Sequence, residues 1–147
     1  MLTFISRVGI KVSNKKYLYF FLNFTWGLLL TLLGYFLMLI LLPFGRVRRY
    51  SYTLYFEFNK KTAWGFSIGT VFFVGKYANK SMKEHEFGHT VQNAILGPFM
   101  IFLVAIPSLV RFWYRNYLYS HGKYPKTTYD SIWFEGSASC IGLKHGL

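Results

Sequence analysis

From Tyr17 to Gly45 the chain runs for 29 residues without a charged side chain, and from Phe20 to Leu42 it is almost wholly Leu, Phe, Ile, Met, Gly and Tyr. An α-helix needs about 20 such residues to cross the hydrocarbon core of a bilayer. The run therefore predicts one membrane-spanning helix over residues 17–45. A cleavable leader would carry an apolar stretch of only about 7–15 residues ending at small residues. Here the stretch is longer and is followed by Pro43-Phe44-Gly45-Arg46, so it reads as an anchor that is retained.

The rest of the composition agrees with a membrane setting. The 147 residues suffice for one compact unit, and 53% hydrophobic with 22% aromatic content excludes a disordered chain. Lys and Arg number 17 against 5 acidic residues, a formal charge of +12. A charge of this sign alone would admit nucleic acid. Combined with long uncharged stretches and many Tyr and Trp, it favours anionic lipid and an interfacial aromatic belt, with no nucleic acid partner. The single cysteine, Cys140, excludes an internal disulfide. The chain thus divides into a basic flank over residues 1–16, the anchor over 17–45 and a membrane-associated core over 46–147. Basic residues after the anchor slightly outweigh those before it, which leans the core towards the cytoplasmic side.

A second uncharged run, Phe87 to Val110, is interrupted by Gly97-Pro98 and Pro107. Gly followed by Pro stops a helix, so this run predicts a polar-faced helix ending near Leu96. The apolar piece Phe99 to Val110 that follows spans only about 18 Å as a helix, which fits a re-entrant or interfacial segment. Ser81-Met82-Lys83-Glu84 has the capping-box pattern and predicts a helix start at Met82. Upstream, Tyr50 to Phe58 alternates with a period of two, and Ala63 to Val74 begins with Trp64, Phe66 and Ile68 alternating with Gly65, Ser67 and Gly69. Two such runs around the turn Asn59-Lys60-Lys61-Thr62 predict a small antiparallel β-hairpin. The small face of its second strand accommodates either a packed helix or an added peptide strand. A last short helix is expected over residues 130–141.

The capped helix carries His85-Glu86-Phe87-Gly88-His89. Positions i and i+4 share a helix face, so both imidazoles converge on one point where each can ligate a tetrahedral Zn²⁺. Glu86 then stands where it can take a proton from a metal-bound water as general base. With 4 His in 147 residues and as many Glu, a chance match to the three positions is expected about 0.003 times. A catalytic zinc usually has three protein ligands. A continuation with a glycine at position 92 and a histidine at 95 is absent, since Gln92 and Ile95 stand there. The remaining candidates are Glu135, Asp130, His121 and His145. Glu135 is preferred because it is the lone carboxylate in the apolar stretch Ser131 to Ser139, and an ionised group there needs a compensating cation.

His85-Glu86-x-x-His89 followed at a distance by a helical Glu resembles the gluzincin branch of zinc metallopeptidases. More closely, the stretch from His85 through Gln92, then Ile95-Leu96-Gly97-Pro98, Pro107-Ser108, and an aromatic-x-Glu-x-x-Ala ending at Ala138 resemble a group of small bacterial membrane proteins. The resemblance covers roughly residues 63 to 142. It implies a gluzincin-like α+β core, His85, His89 and Glu135 as zinc ligands, Glu86 as base, and a place in the bacterial cytoplasmic membrane. Gluzincins commonly carry an Asp four residues after the ligand Glu to support a ligating His. Here that position is Ser139, and Ser139 or Asp130 is expected to substitute.

If Gly97-Pro98 turns the chain round, Glu135 reaches the two histidines without a second crossing of the bilayer. The expected fold is thus a mainly α integral membrane protein with a small β-hairpin, one spanning helix and one re-entrant or interfacial segment. The expected activity is hydrolysis of a peptide bond in a peptide or protein substrate. The alternatives are a non-catalytic membrane protein with a structural metal site, and an interfacial lipid or peptide binder. The sequence names no residue that would steady an oxyanion; Tyr129, Tyr124 and His121 are only nearby along the chain.

Overall fold

The computed structural model describes residues 2–146. It is mostly helical, with a small mixed sheet. Helices α1 (Leu2–Ser13), α2 (Lys16–Phe24) and α3 (Leu28–Leu41) precede strands β1 (Gly45–Tyr50), β2 (Thr53–Phe58), β3 (Gly65–Ile68) and β4 (Val71–Val74). Helices α4 (Lys80–Leu96), α5 (Ile106–Ser120) and α6 (Trp133–Leu143) complete the chain.

The anchor expected over 17–45 is not one helix. Among the described residues no single helix is long and apolar enough to cross a membrane. The chain breaks at Thr25-Trp26-Gly27 and turns by 93° between α2 and α3. The reason lies in polar groups that a count of charges overlooks. The Asn23 amide donates to the Tyr19 carbonyl (3.1 Å) and accepts from the amide of Asn93 (2.6 Å), while the Thr31 hydroxyl donates to the Asn23 carbonyl (3.1 Å). All three side chains are buried, so the bend is held by bonds that a straight helix could not make. The basic flank is likewise an ordered helix: α1 packs on α6 and α4, burying Val12 and Ser13.

The expected antiparallel hairpin is replaced by a four-stranded sheet of order β1-β2-β4-β3. β1 and β2 form one hairpin, β3 and β4 a second, and the two are joined by parallel pairing of β2 with β4. The run 63–74 is split because Gly69, at φ 62°, opens a two-residue turn with Thr70, the position where a hairpin of this kind requires positive φ. A Cβ there would also strike the backbone of Thr31 in α3. α3 covers one sheet face through Met38, Phe56, Val71 and Phe73, and α4 lies against β3 and β4 on the other.

α4 begins two residues before the expected Met82. Its N-cap is Asn79, whose side chain accepts from the Met82 N–H (2.9 Å), so the cap is an Asn and not the Ser81 box. Glu84 pairs instead with Lys80 one turn back (3.5 Å). The helix ends at Leu96 as expected, with Gly97 at φ 54° pressed against the Trp26 ring. A short 3₁₀ turn (Gly97–Phe99) and a π-helical turn (Ile101–Ala105) lead into α5, and the axis bends by 118°. α5 starts at Ile106 and continues directly from the π-helical turn, with Pro107 just past their junction.

α4 is buried from Glu86 to Ala94 although half of that stretch is polar. Most polar groups there have a specific partner, Asn93 Oδ1 being an exception; Thr90, for example, accepts from the Tyr19 hydroxyl (2.9 Å) and donates to the Phe87 carbonyl (2.8 Å). α6 packs antiparallel on α4. Gly142 meets Glu84, Gly88 meets Ala138 and Gln92 meets Phe134 in register, with the glycines admitting the facing backbone.

Candidate metal centre

The α4–α6 pairing decides the site. His85 and His89 stand one turn apart on α4, and Glu135 rises opposite them from the first turn of α6. His85 Nε2 and His89 Nε2 lie 3.1 Å apart, Glu135 Oε2 is 3.1 Å from the first and 3.2 Å from the second. These three groups could hold a metal ion. Ligands at about 2.0–2.1 Å around a tetrahedral ion sit about 3.3 Å from one another, so the triangle has the size that such an ion requires.

The outer atoms are all engaged. The Gln92 Nε2 group donates to the Phe134 carbonyl and to Ser137 Oγ, both at 2.6 Å, which leaves its Oε1 facing His89 Nδ1 at 2.7 Å. A carbonyl can only accept, so the amide orientation is determined and His89 must carry its proton on Nδ1. Its Nε2 therefore points into the triangle, with its lone pair free whenever the ring is neutral. His85 Nδ1 is 2.8 Å from Ser139 Oγ and 4.0 Å from Asp130 Oδ1, so Ser139 is the partner in contact and Asp130 stands behind. Glu135 Oε1 accepts from the Ser108 hydroxyl of α5. Glu135 is fully buried. Burial alone would raise its pKa, but hydrogen bonds from His85, His89 and Ser108 together with the charge of His89 hold the carboxyl well below the usual carboxylate range. A buried carboxylate facing two imidazole nitrogens is a site built for a cation.

Glu86 lies beside the triangle, nearly buried, with Oε2 accepting from the Ser67 hydroxyl of β3 (2.6 Å). A Cβ on Gly65 would come within 2.9–3.1 Å of the Glu86 side chain. The small face of the second strand thus serves to admit α4 and this glutamate. Tyr129 closes the other side, its ring 6.2 Å from that of His85. Its hydroxyl is in the company of Ser108 and Glu135, and burial followed by the Glu135 charge raises its pKa, keeping it a proton donor. Arg111 fastens the segment bearing Tyr129 by donating to the carbonyls of Thr128 (2.9 Å) and Tyr129 (3.1 Å), and Arg115 to that of Thr127 (2.9 Å).

Of the other candidates, His121 is exposed at the end of α5 beside Tyr117 and Ser120, and Tyr124 is exposed against Tyr119. His145 is packed on Tyr52 and Phe87 with Nε2 2.8 Å from Ser51 Oγ. None of the three reaches the triangle. The structure adds Gln92, Ser108 and Ser67. Gln92 was within reach of sequence reasoning, being three residues beyond His89 on the same helix face, whereas Ser108 and Ser67 carry no local signal. Compared with family models, curated proteins and solved structures, the chain matches none.

Proposed function

We propose that the protein is a membrane-associated zinc metallopeptidase, with His85, His89 and Glu135 as ligands and Glu86 as general base. The observation that carries this reading is the triangle of bare ligand atoms with Glu86 alongside: a purely structural site needs no carboxylate poised there on a strand serine. Two imidazoles and one carboxylate in a tetrahedral array suit Zn²⁺, with a position left open. When bound, such an ion supplies Lewis acidity that activates water and polarises a carbonyl. Glu86 would take the proton from the attacking water and pass it to the leaving amine. Tyr129, protonated and adjacent, is the donor best placed to steady the developing oxyanion.

Membrane association is supported by the surface. Large apolar side chains stand exposed along α2 and α3 (Phe21, Leu29, Leu32, Phe36, Leu39) and again after the second bend (Phe102, Ile106, Val110, Trp113). A patch of this extent on a monomer marks an interaction surface, and Arg46, Arg48, Arg49, Lys60 and Lys61 add the charge that anionic headgroups attract. Both bent pairs would then enter the bilayer without either helix crossing it alone, and the bacterial cytoplasmic membrane is the proposed location.

The test is metal analysis of the detergent-purified protein beside His85→Ala, Glu135→Ala and Glu86→Gln, followed by hydrolysis of peptide pools. One zinc per chain lost with His85, weakened with Glu135 and retained in Glu86→Gln, with hydrolysis abolished in the last, is the expected pattern. Full hydrolysis by Glu86→Gln would overturn the reading.

A further inference from the structure

The site opens into two cavities, one strongly apolar and one of mixed lining, and Trp64, Gly65, His85, Glu86, Phe112 and Tyr129 line both. The larger, about 960 Å³, runs between α3 and the bend leading into α5 and is walled by Leu33, Phe36 and Ile40 on one side and Met100, Val104 and Leu109 on the other. Apart from Glu86 it is lined by no carboxylate, lysine or arginine. The smaller, about 530 Å³, adds Asn79, Ser81, Arg115, Asn116 and Asp130 to apolar residues such as Met82.

A ligand that lies across Glu86 therefore meets almost wholly apolar walls in one cavity and mixed walls that carry polar and charged groups in the other. β3 is the outer strand of the sheet and its residues from Gly65 onward line the apolar arm, so an extended backbone can run along its edge from one arm to the other. Deep in the apolar arm one acceptor stands alone. Asn93 is 1% exposed, its Nδ2 is committed to Asn23, and its Oδ1 has no partner. That oxygen is closed off from the cavity as it stands, so the choice of a peptide rests on the outer edge of β3.

We infer that the substrate is an extended peptide segment of split polarity, bulky and apolar on one side of the scissile bond and polar on the other, of the kind found where a membrane-buried stretch meets its water-exposed flank. This rests on the peptidase reading, and the test separates the two. Dodecapeptides with six apolar and six polar residues in two blocks, in either order, are compared with an alternating peptide of the same composition. Binding to the metal-free protein in nanodiscs is followed by anisotropy of a peptide-borne dye, so no turnover is needed.

One of the block peptides is expected to bind at least tenfold more tightly than the alternating one. Ala105→Trp, which fills the apolar arm from an exposed position, and Leu33→Asn, which places an amide on its wall, should each erase that preference while leaving zinc content unchanged. Equal binding of all peptides, or a preference insensitive to both variants, overturns the inference. Hydrolysis of block and alternating peptides at equal rates by the zinc-loaded protein would also overturn it while leaving the peptidase reading intact. Selective binding with no hydrolysis would do the reverse.

Discussion

Ser139 Oγ stands 2.8 Å from His85 Nδ1, one helical turn beyond Glu135 on α6. A single helix thus contributes both the carboxylate that faces the triangle and the hydroxyl that orients one of its imidazoles. Removing such a partner typically lowers metal affinity 10–100-fold. Ser139→Ala should weaken zinc binding by about tenfold, while Asp130→Asn, whose carboxylate is 4.0 Å away, should change it less. Competition against a chelator of known affinity measures both.

Gln92 bridges three groups, so its loss reaches beyond the metal. Gln92→Leu leaves His89 Nδ1 without a partner in a buried setting, while Ser137 Oγ and the Phe134 carbonyl lose one bond each and keep the one between them. A group left unsatisfied costs about 1–3 kcal/mol. The variant should melt at a lower temperature without metal and recover only part of the difference with zinc, as thermal unfolding monitored by circular dichroism would show.

Gly65→Ala tests position without charge. The added methyl would crowd the flexible end of Glu86, at 2.9–3.1 Å, so the carboxylate must shift while the triangle stays intact. Peptide hydrolysis should fall by at least tenfold with zinc content and melting temperature close to wild type. Gly88→Ala is the contrast: its Cβ meets the Ala138 backbone, which cannot yield, so overpacking should destabilise the fold by about 1–3 kcal/mol.

Zinc affinity should depend on pH with a definite sign. Each imidazole must present a bare Nε2, and protonation removes that lone pair; at His89 burial lowers the pKa, but the hydrogen bond and charge of Glu135 outweigh it and raise the pKa above the ordinary histidine value. Glu135, held below the usual carboxylate range by His85, His89 and Ser108, stays ionised and adds no proton of its own. Affinity should therefore rise with pH and fall as pH drops through the raised His89 range, by up to about tenfold per imidazole per unit. In the metal-free protein the stability from Glu135 is present above the unfolded carboxyl pKa of about 4.3 and is lost only as pH falls below it. Chelator competition and unfolding at a series of pH values separate the two effects.

Association with vesicles should depend on the exposed apolar side chains and not on the site. Leu29→Lys with Phe102→Lys, at positions 59% and 68% exposed, should cut partition into anionic vesicles by at least tenfold, since a lysine in apolar surroundings costs about 3 kcal/mol. Flotation of detergent-depleted protein measures it, and unchanged zinc content shows that the fold survives.

What the sequence determined by itself is local. The spacing of His85 and His89 places both imidazoles on one face because helix geometry alone sets it, and Gly97-Pro98 ends α4 because Gly97 takes a positive φ and Pro98 has no N–H to continue the ladder. Glu135 was legible as the odd carboxylate in an apolar run. Tertiary structure decided whatever depended on partners distant in the chain. The uncharged run of 29 residues breaks at Thr25–Gly27 because Asn23 bonds to Asn93, seventy positions away. The run 63–74 folds on itself because β4 finds β2 in parallel, leaving β3 outermost. Asn79 takes the cap from Ser81, and Ser108 reaches Glu135 across the second bend. Hydropathy and periodicity report what each segment can bury. Which polar group meets which is a property of the packed chain, and the metal-binding geometry arises there, where α6 lies antiparallel on α4.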